Sequence, residues 1–348
     1  MRVSAAVIKA RIVAGAALAA LLVAPLAGAA QNDKEVIRWR VQSHWPAASS
    51  SYKDSLLLLK DKLEKRTNGR LVLEPHEAGA LFGAKETFNA VRRGVIEMGT
   101  ISPAYIIDQV SLAGIASGLP FAFRNVWEAA YFHKQLGFEQ MLRDEVAKYG
   151  VYYSTDKVYP TEMVTKQPIN SYEDFRKLKI RSSGALQVFL TEAGAAASMI
   201  PGPEIYPALS QGVIDAVHWG AVQGAMSMSL YEIAKYHVRP ALNIAGTDAF
   251  IINMKALDKL PPDVRKTVID TLDEQFWLRT NEYQYKETVT LAKAQKELGV
   301  KVNVLPEDLQ QHLAKAAQKI WEKEAARSKE AAKAVEMLKN FLRELGYI

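Results

Sequence analysis

The chain has 348 residues, a formal net charge of +6, an apolar fraction near half and no cysteine. The missing thiols exclude a disulfide scaffold, a thiolate metal site and a cysteine nucleophile. Lys and Arg interleaved with Asp and Glu argue against a nucleic-acid surface, and the length suits two domains held by core burial alone.

Residues 1–30 stand apart from the rest. Arg2, Lys9 and Arg11 precede an uncharged run rich in Ala, Leu and Val, which Ala27-Gly28-Ala29-Ala30 closes. That order is the one found in a secretory signal peptide. An uncleaved anchor is the alternative, because the apolar stretch approaches spanning length. Cleavage would remove those three cations and leave a net charge of +3. No comparable run follows Gln31, so an exported soluble protein is expected.

Residues 35–42 (EVIRWRVQ) alternate as a strand does, and 52–66 place Leu56, Leu57, Leu59 and Leu63 at helical spacing before Asn68-Gly69. RLVLEPH (70–76) reads as a second strand, 84–94 as a second helix and VIEMGTIS (95–102) as a third strand. Such short spacings indicate parallel crossover units. The rhythm returns in VYYSTD (151–156), LKIRSS (178–183), a helix over 184–194, ASMIP (197–201), a helix over 203–212 and IDAVHWG (214–220). Two α/β lobes are expected, followed by long amphipathic helices over 262–298 and 306–345. The Ala-rich faces of the last helix suit either a dimer surface or packing on the parent domain. No low-complexity tether separates the lobes, so their connections should be strands or short hinges.

Catalytic motifs do not emerge. His44, His76, His133, His218, His237 and His312 include no zinc-type helical pair and no HExxH. GxSxG, SxxK, GxGxxG and the P-loop are missing too. Together these favour binding over catalysis and argue against a bound cofactor.

Aromatic and hydrogen-bonding residues instead gather where strands should end: His44 and Trp45, Ser102 and Tyr105, Thr155 with Asp156, Tyr159, Arg181, His218 and Trp219. In open α/β sheets those carboxyl ends face the ligand crevice. Arg181 follows LKI at such an end, and its guanidinium offers a permanently charged fork matched to a carboxylate. An ion pair between domains or a solvated terminus would use the same residue. Trp219 and Trp45 could equally be core aromatics, and His218 a structural histidine.

Over nearly its whole length after the leader the chain resembles the periplasmic solute-binding proteins of TRAP (tripartite ATP-independent periplasmic) transporters. The resemblance is carried by RTNGR (66–70), AGALFG (78–83), AVRRGVIEMG (90–99), GLPFAFRN (118–125), KLKIRSSG (177–184), PGPEIYPALSQGVIDAVHWG (201–220) and YEIAKYH (231–237) in order. It implies a two-lobed periplasmic binding protein fold of type II-like α/β architecture, with hinge strands and long helices crossing both lobes. The lobes are expected at 31–155 and 156–250, with 251–348 returning as a strand and the C-terminal helices. It also implies capture of a small organic acid in the interlobe cleft, no enzymatic activity, and delivery to membrane permease subunits driven by an ion gradient.

Arg181 occupies the place of the family's carboxylate-pairing arginine. Trp45, Ser102, Tyr105, Tyr159, His218, Trp219 and Asp248 complete the expected ligand site. The branch that binds 2-oxo acids through a cation commonly has Glu-Trp where this chain has His218-Trp219. It also carries a glutamate near GTDAF (246–250), where only Asp248 could stand in. No metal is therefore expected, and His218 or Asp248 is expected to meet a hydroxyl or other polar group. Two further readings are an exported hydrolase or lyase using His218 and Asp248 as base and orienter, and a binding protein serving a membrane sensor.

Overall fold

The computed structural model describes residues 36–348; the expected leader at 1–30 lies outside them. Nine strands form one mixed sheet: β1 (Ile37–Gln42), β2 (Leu71–His76), β3 (Met98–Ile101), β4 (Val151–Thr165), β5 (Lys179–Arg181), β6 (Ala196–Ser198), β7 (Ala216–His218), β8 (Tyr236–Asn253) and β9 (Lys301–Val304). Their spatial order is β2-β1-β3-β8-β4-β7-β5-β6, with β9 also paired to β8. The expected crossover units are present. β1 pairs in parallel with β2 and β3, and β5 pairs in parallel with β6 and β7.

The two groups of strands are joined through β4 and β8, which run antiparallel to each other along most of their length. β3 adds to the C-terminal part of β8, whereas β7 adds to the C-terminal part of β4 and β9 to the N-terminal part of β8. This makes the fold two-lobed, with two long strands crossing between the halves. Their register shifts between Thr155 and Lys157 and again on either side of Thr161. Such irregularities bend a strand and re-aim its side chains, here at mid-sheet.

The helix Pro262–Leu298 was expected over those residues and crosses both halves. Its early apolar positions Val264, Val268 and Leu272 join Trp39, Leu59 and Leu71 in one core, and Ala294 joins Ile205, Leu209 and Tyr231 in another. Between them it buries Gln275, Arg279, Tyr283 and Glu287. The largest core takes in the C-terminal helices, through residues such as Leu309, Leu313, Val335 and Leu338.

The helix expected over 306–345 is two helices, Glu307–Ala325 and Lys329–Glu344. Ser328 is the reason: its backbone is extended and its hydroxyl accepts from the Ala331 amide, so it starts a new helix. Ala331 and Ala334 are buried inside the chain's own core. The sequence reading also passed over Val126–Lys134, which begins with a capping box built by Asn125 and Glu128. Among the described residues no helix is long and apolar enough to cross a membrane.

Candidate functional site

Arg181 ends β5 and is 2% exposed. Its Nε donates to the Ile200 carbonyl at 3.0 Å and its Nη1 to the His218 carbonyl at 2.6 Å. Nη2 has no partner among the described residues. The guanidinium carbon lies 4.9 Å from the centre of the Trp219 ring. Two carbonyls and an aromatic face thus fix the plane of the fork, and Arg181 lines a cavity of about 60 Å³. Burial lowers the pKa of Arg181 from its usual value, opposed by the adjacent Tyr105.

Every residue expected at the ligand site lines that cavity: Trp45, Ser102, Tyr105, Tyr159, Arg181, His218, Trp219 and Asp248. They arrive from the ends of β1, β3, β5 and β7 and from the middle of β4 and β8. Gly184, one turn beyond Arg181, has φ +60°, and a Cβ there would stand 2.6 Å from the Cβ of Ala104. A side chain could not occupy that close approach.

His218 accepts or donates through Nδ1 to the Ser182 hydroxyl at 2.9 Å. Burial first, then Arg181, pushes its pKa down to about 3, so the ring is neutral near pH 7. No hydrogen bond joins it to Asp248 among the described residues. The base and orienter pair required by the hydrolase reading is not assembled.

Asp248 is buried and ionised. Burial opposes its charge, but the Lys157 ammonium and the His44 ring hold its pKa well below the ordinary carboxylate range. Lys157 Nζ donates to Oδ2 at 2.7 Å, while His44 Nε2 and the Tyr159 hydroxyl meet Oδ1 at 3.2 Å each. Lys157 also contacts Asp156 Oδ2 at 3.0 Å. Asp156 in turn accepts from Ser55 and from Gln275 of the long helix.

Sequence reasoning missed Lys157 and Tyr283. Tyr283 lines the cavity from the long helix, its ring 5.2 Å from that of Tyr159. Gly220 has φ +60°, and a Cβ on it would come within 2.8 Å of the Tyr283 hydroxyl. Glu287, one turn further on, accepts from the backbone amides of Val222 at 2.7 Å and Gln223 at 2.9 Å. The wall made by Trp219, Gly220 and Gly224 is therefore pinned to the long helix. No periodicity announces such a cap.

Residues 42–328 match the model of the bacterial extracellular solute-binding proteins, family 7 (DctP). The chain belongs to that family. It is a family of solute-binding receptors rather than enzymes, and its TRAP members are periplasmic. A monocarboxylate 2-oxoacid-binding periplasmic protein of a Nostoc strain is 24% identical over 312 residues, covering 89% of this chain and 85% of the relative. A TRAP periplasmic solute-binding protein of Pseudoalteromonas atlantica, solved with sodium and pyruvate, has a TM-score of 0.82 at 23% identity. That match covers 89% of this chain and 95% of the other. DctP7 of Bordetella pertussis, a receptor binding pyroglutamic acid, has a TM-score of 0.78 at 20% identity, covering 86% and 100%.

No group of three or more His, Asp or Glu side chains that could hold a metal is found among the described residues. The one carboxylate lining the cavity, Asp248, already receives an ammonium, an imidazole and a phenol.

Proposed function

We propose that this protein is the periplasmic solute-binding component of a TRAP transporter, exported by a leader over residues 1–30, and that it hands a small organic acid to the membrane permease. The observation behind this reading is the unpartnered Nη2 of Arg181, a buried cationic donor beside a cavity. A buried charged donor without a partner is costly, and a ligand carboxylate is its natural complement. The relatives' 2-oxoacids, pyruvate and pyroglutamate are acids of the same kind.

The cavity favours a small ligand. Its volume is about 60 Å³. Trp45, Tyr105, Tyr159 and Trp219 would cover its carbon frame, while Ser102, His218 and Asp248 would meet its polar atoms. Residues 31–155 and 156–250 would act as the two lobes and bend on β4 and β8 to enclose the acid, with 251–348 bracing both. The Ala-rich face that a dimer through the last helix would use is already buried within the chain, which supports a monomer.

Mass spectrometry of ligand released from the purified protein, with thermal shift against a panel of small carboxylic acids, tests this reading. A carboxylate should be released, and at least one acid of about three to six carbons should raise the melting temperature. No shift with any acid, and no acid released, would sink it.

A further inference from the structure

Lys157 is fully buried at the middle of β4, behind the cavity-lining Asp248 that it contacts. Its ammonium sits between Asp156 and Asp248 and faces the rings of Trp45 at 4.8 Å, Tyr159 at 5.0 Å and Tyr283 at 5.8 Å. Carboxylates and aromatic faces take the place of water around it. It occupies Oδ2 of Asp248, and Oδ1 accepts from His44 and Tyr159. A carboxylate has about four acceptor positions and no hydrogen to give. Three are filled from within the chain, and Asp248 still lines the cavity.

We propose that Lys157 is a positioning residue that fixes Asp248 as an acceptor, so that the site selects acids carrying a hydrogen-bond donor near the carboxylate. Arg181 can only donate and Asp248 can only accept. The ligand must offer the reverse: a carboxylate at one end and, two or three bonds away, a hydroxyl, an ammonium or a lactam N–H. A keto oxygen in that place would set one acceptor against another, and a buried mismatch of this type is rejected far more strongly than a missing methylene. This inference rests on the carboxylate reading above and narrows it to 2-hydroxy, 2-amino and lactam acids, with 2-oxo acids disfavoured.

The titratable groups around Asp248 come from several elements. His44 follows β1 and Tyr105 follows β3; Asp156, Lys157 and Tyr159 come from β4; Arg181 and His218 approach from β5 and β7, and Tyr283 from the long helix. Of these, Lys157 supplies the cation in direct contact with the carboxylate.

Titration calorimetry of the mature protein with matched pairs of three to five carbons tests the inference: lactate against pyruvate, 2-hydroxyisovalerate against 2-oxoisovalerate, and pyroglutamate and alanine alongside. A donor-bearing acid should bind at least tenfold more tightly than its 2-oxo partner. In Asp248→Asn, which keeps the shape and adds an amide donor, that ratio should fall to within about threefold. In Lys157→Met, binding of the donor-bearing acid should weaken as pH falls from 7 to 5, while the wild type stays flat over that range. A purely structural lysine would leave both pH profiles parallel. If Lys157→Met does not fold, Asp248→Asn carries the test. A 2-oxo acid bound as tightly as its partner, or a wild-type ratio kept in Asp248→Asn, overturns the inference and leaves the carboxylate reading intact. No binding by any acid of the set, with no carboxylate released from the purified protein, overturns both.

Discussion

Arg181 donates to the main-chain carbonyl of His218, 2.6 Å away, so the residue that ends β5 is oriented by the residue that ends β7. Parallel pairing sets Arg181 opposite Val217, which brings the next carbonyl within reach of the fork. The guanidinium is thus oriented before any ligand arrives, and the ordering entropy is met during folding rather than on binding.

Arg181→Ala should lower affinity for the bound acid by about 2–5 kcal/mol, the usual range for truncating one partner of a buried charge pair. Arg181→Lys should recover little, because an ammonium cannot meet Ile200, His218 and a ligand in the same plane. Calorimetry beside a circular dichroism melt separates binding from folding. Affinity within threefold of wild type in a folded alanine variant would remove Arg181 from the site.

The acid side of the stability profile should be set in part by His133. It is 1% exposed, its Nδ1 has no partner, and Phe132 and Phe138 pack edge-on against it. Burial, helped by Lys134, lowers its pKa from 6.5 to about 3. The unfolded chain then takes up a proton below 6.5 that the folded chain refuses. Stability is fully present above that pH and is lost as pH falls towards 3, at about 1.4 kcal/mol per unit. Between pH 7 and 4.5 the wild type should lose about 3 kcal/mol more than His133→Phe. Urea melts at both pH values give the difference directly; parallel losses in the two proteins would contradict it.

Strand-end chemistry was readable in the sequence, because in a crossover unit the carboxyl end of a strand faces the crevice; Ser102 and Trp219 directly follow β3 and β7, Arg181 ends β5 and Trp45 lies in the loop after β1. What escaped were residues whose partners lie far along the chain. Reading β4 as six residues stopped at Asp156, since Lys157, Pro160 and Glu162 break an apolar alternation. β4 runs on to Thr165 because those charges find partners on β8: Lys157 meets Asp248, and Glu162 meets His237 at 2.5 Å. Tyr283 and Glu287 escaped for the opposite reason. They fall at helical spacing and pass for ordinary positions on an amphipathic face, yet they are the buried polar middle of a helix whose ends lie in different cores.

Glu287 should couple stability to the shape of the cavity wall. Glu287→Ala leaves two buried amides, those of Val222 and Gln223, without an acceptor. A loss of about 1–3 kcal/mol is expected. Ligand affinity should fall as well, since Gly220 and Gly224 flank the released segment and line the cavity. Burial raises the pKa of Glu287 from 4.5 to about 8, against the pull of those amides. Its contribution is therefore fully present below 4.5 and declines as pH rises towards 8. The wild type should lose more stability than Glu287→Gln between pH 5 and 8, and a steeper loss in the glutamine variant would invert the assignment.

Binding should be independent of added cations. In the neighbour solved with sodium and pyruvate an inorganic ion accompanies the acid, and such an ion needs several oxygen ligands free to turn towards it. Here Asp248 would have to surrender Lys157, and the released ammonium would remain buried beside Asp156 with half its compensation gone. Breaking a buried pair in that way costs about 3–5 kcal/mol, which a weakly held monovalent ion does not return. Arg181 already supplies the positive charge that a small monocarboxylate requires. Affinity measured in sodium-free buffer with EDTA should match that in sodium or calcium to within a factor of two. A tenfold loss on chelation, reversed by one ion species, would mean that ligand oxygens and main-chain carbonyls assemble a cation site around the bound acid.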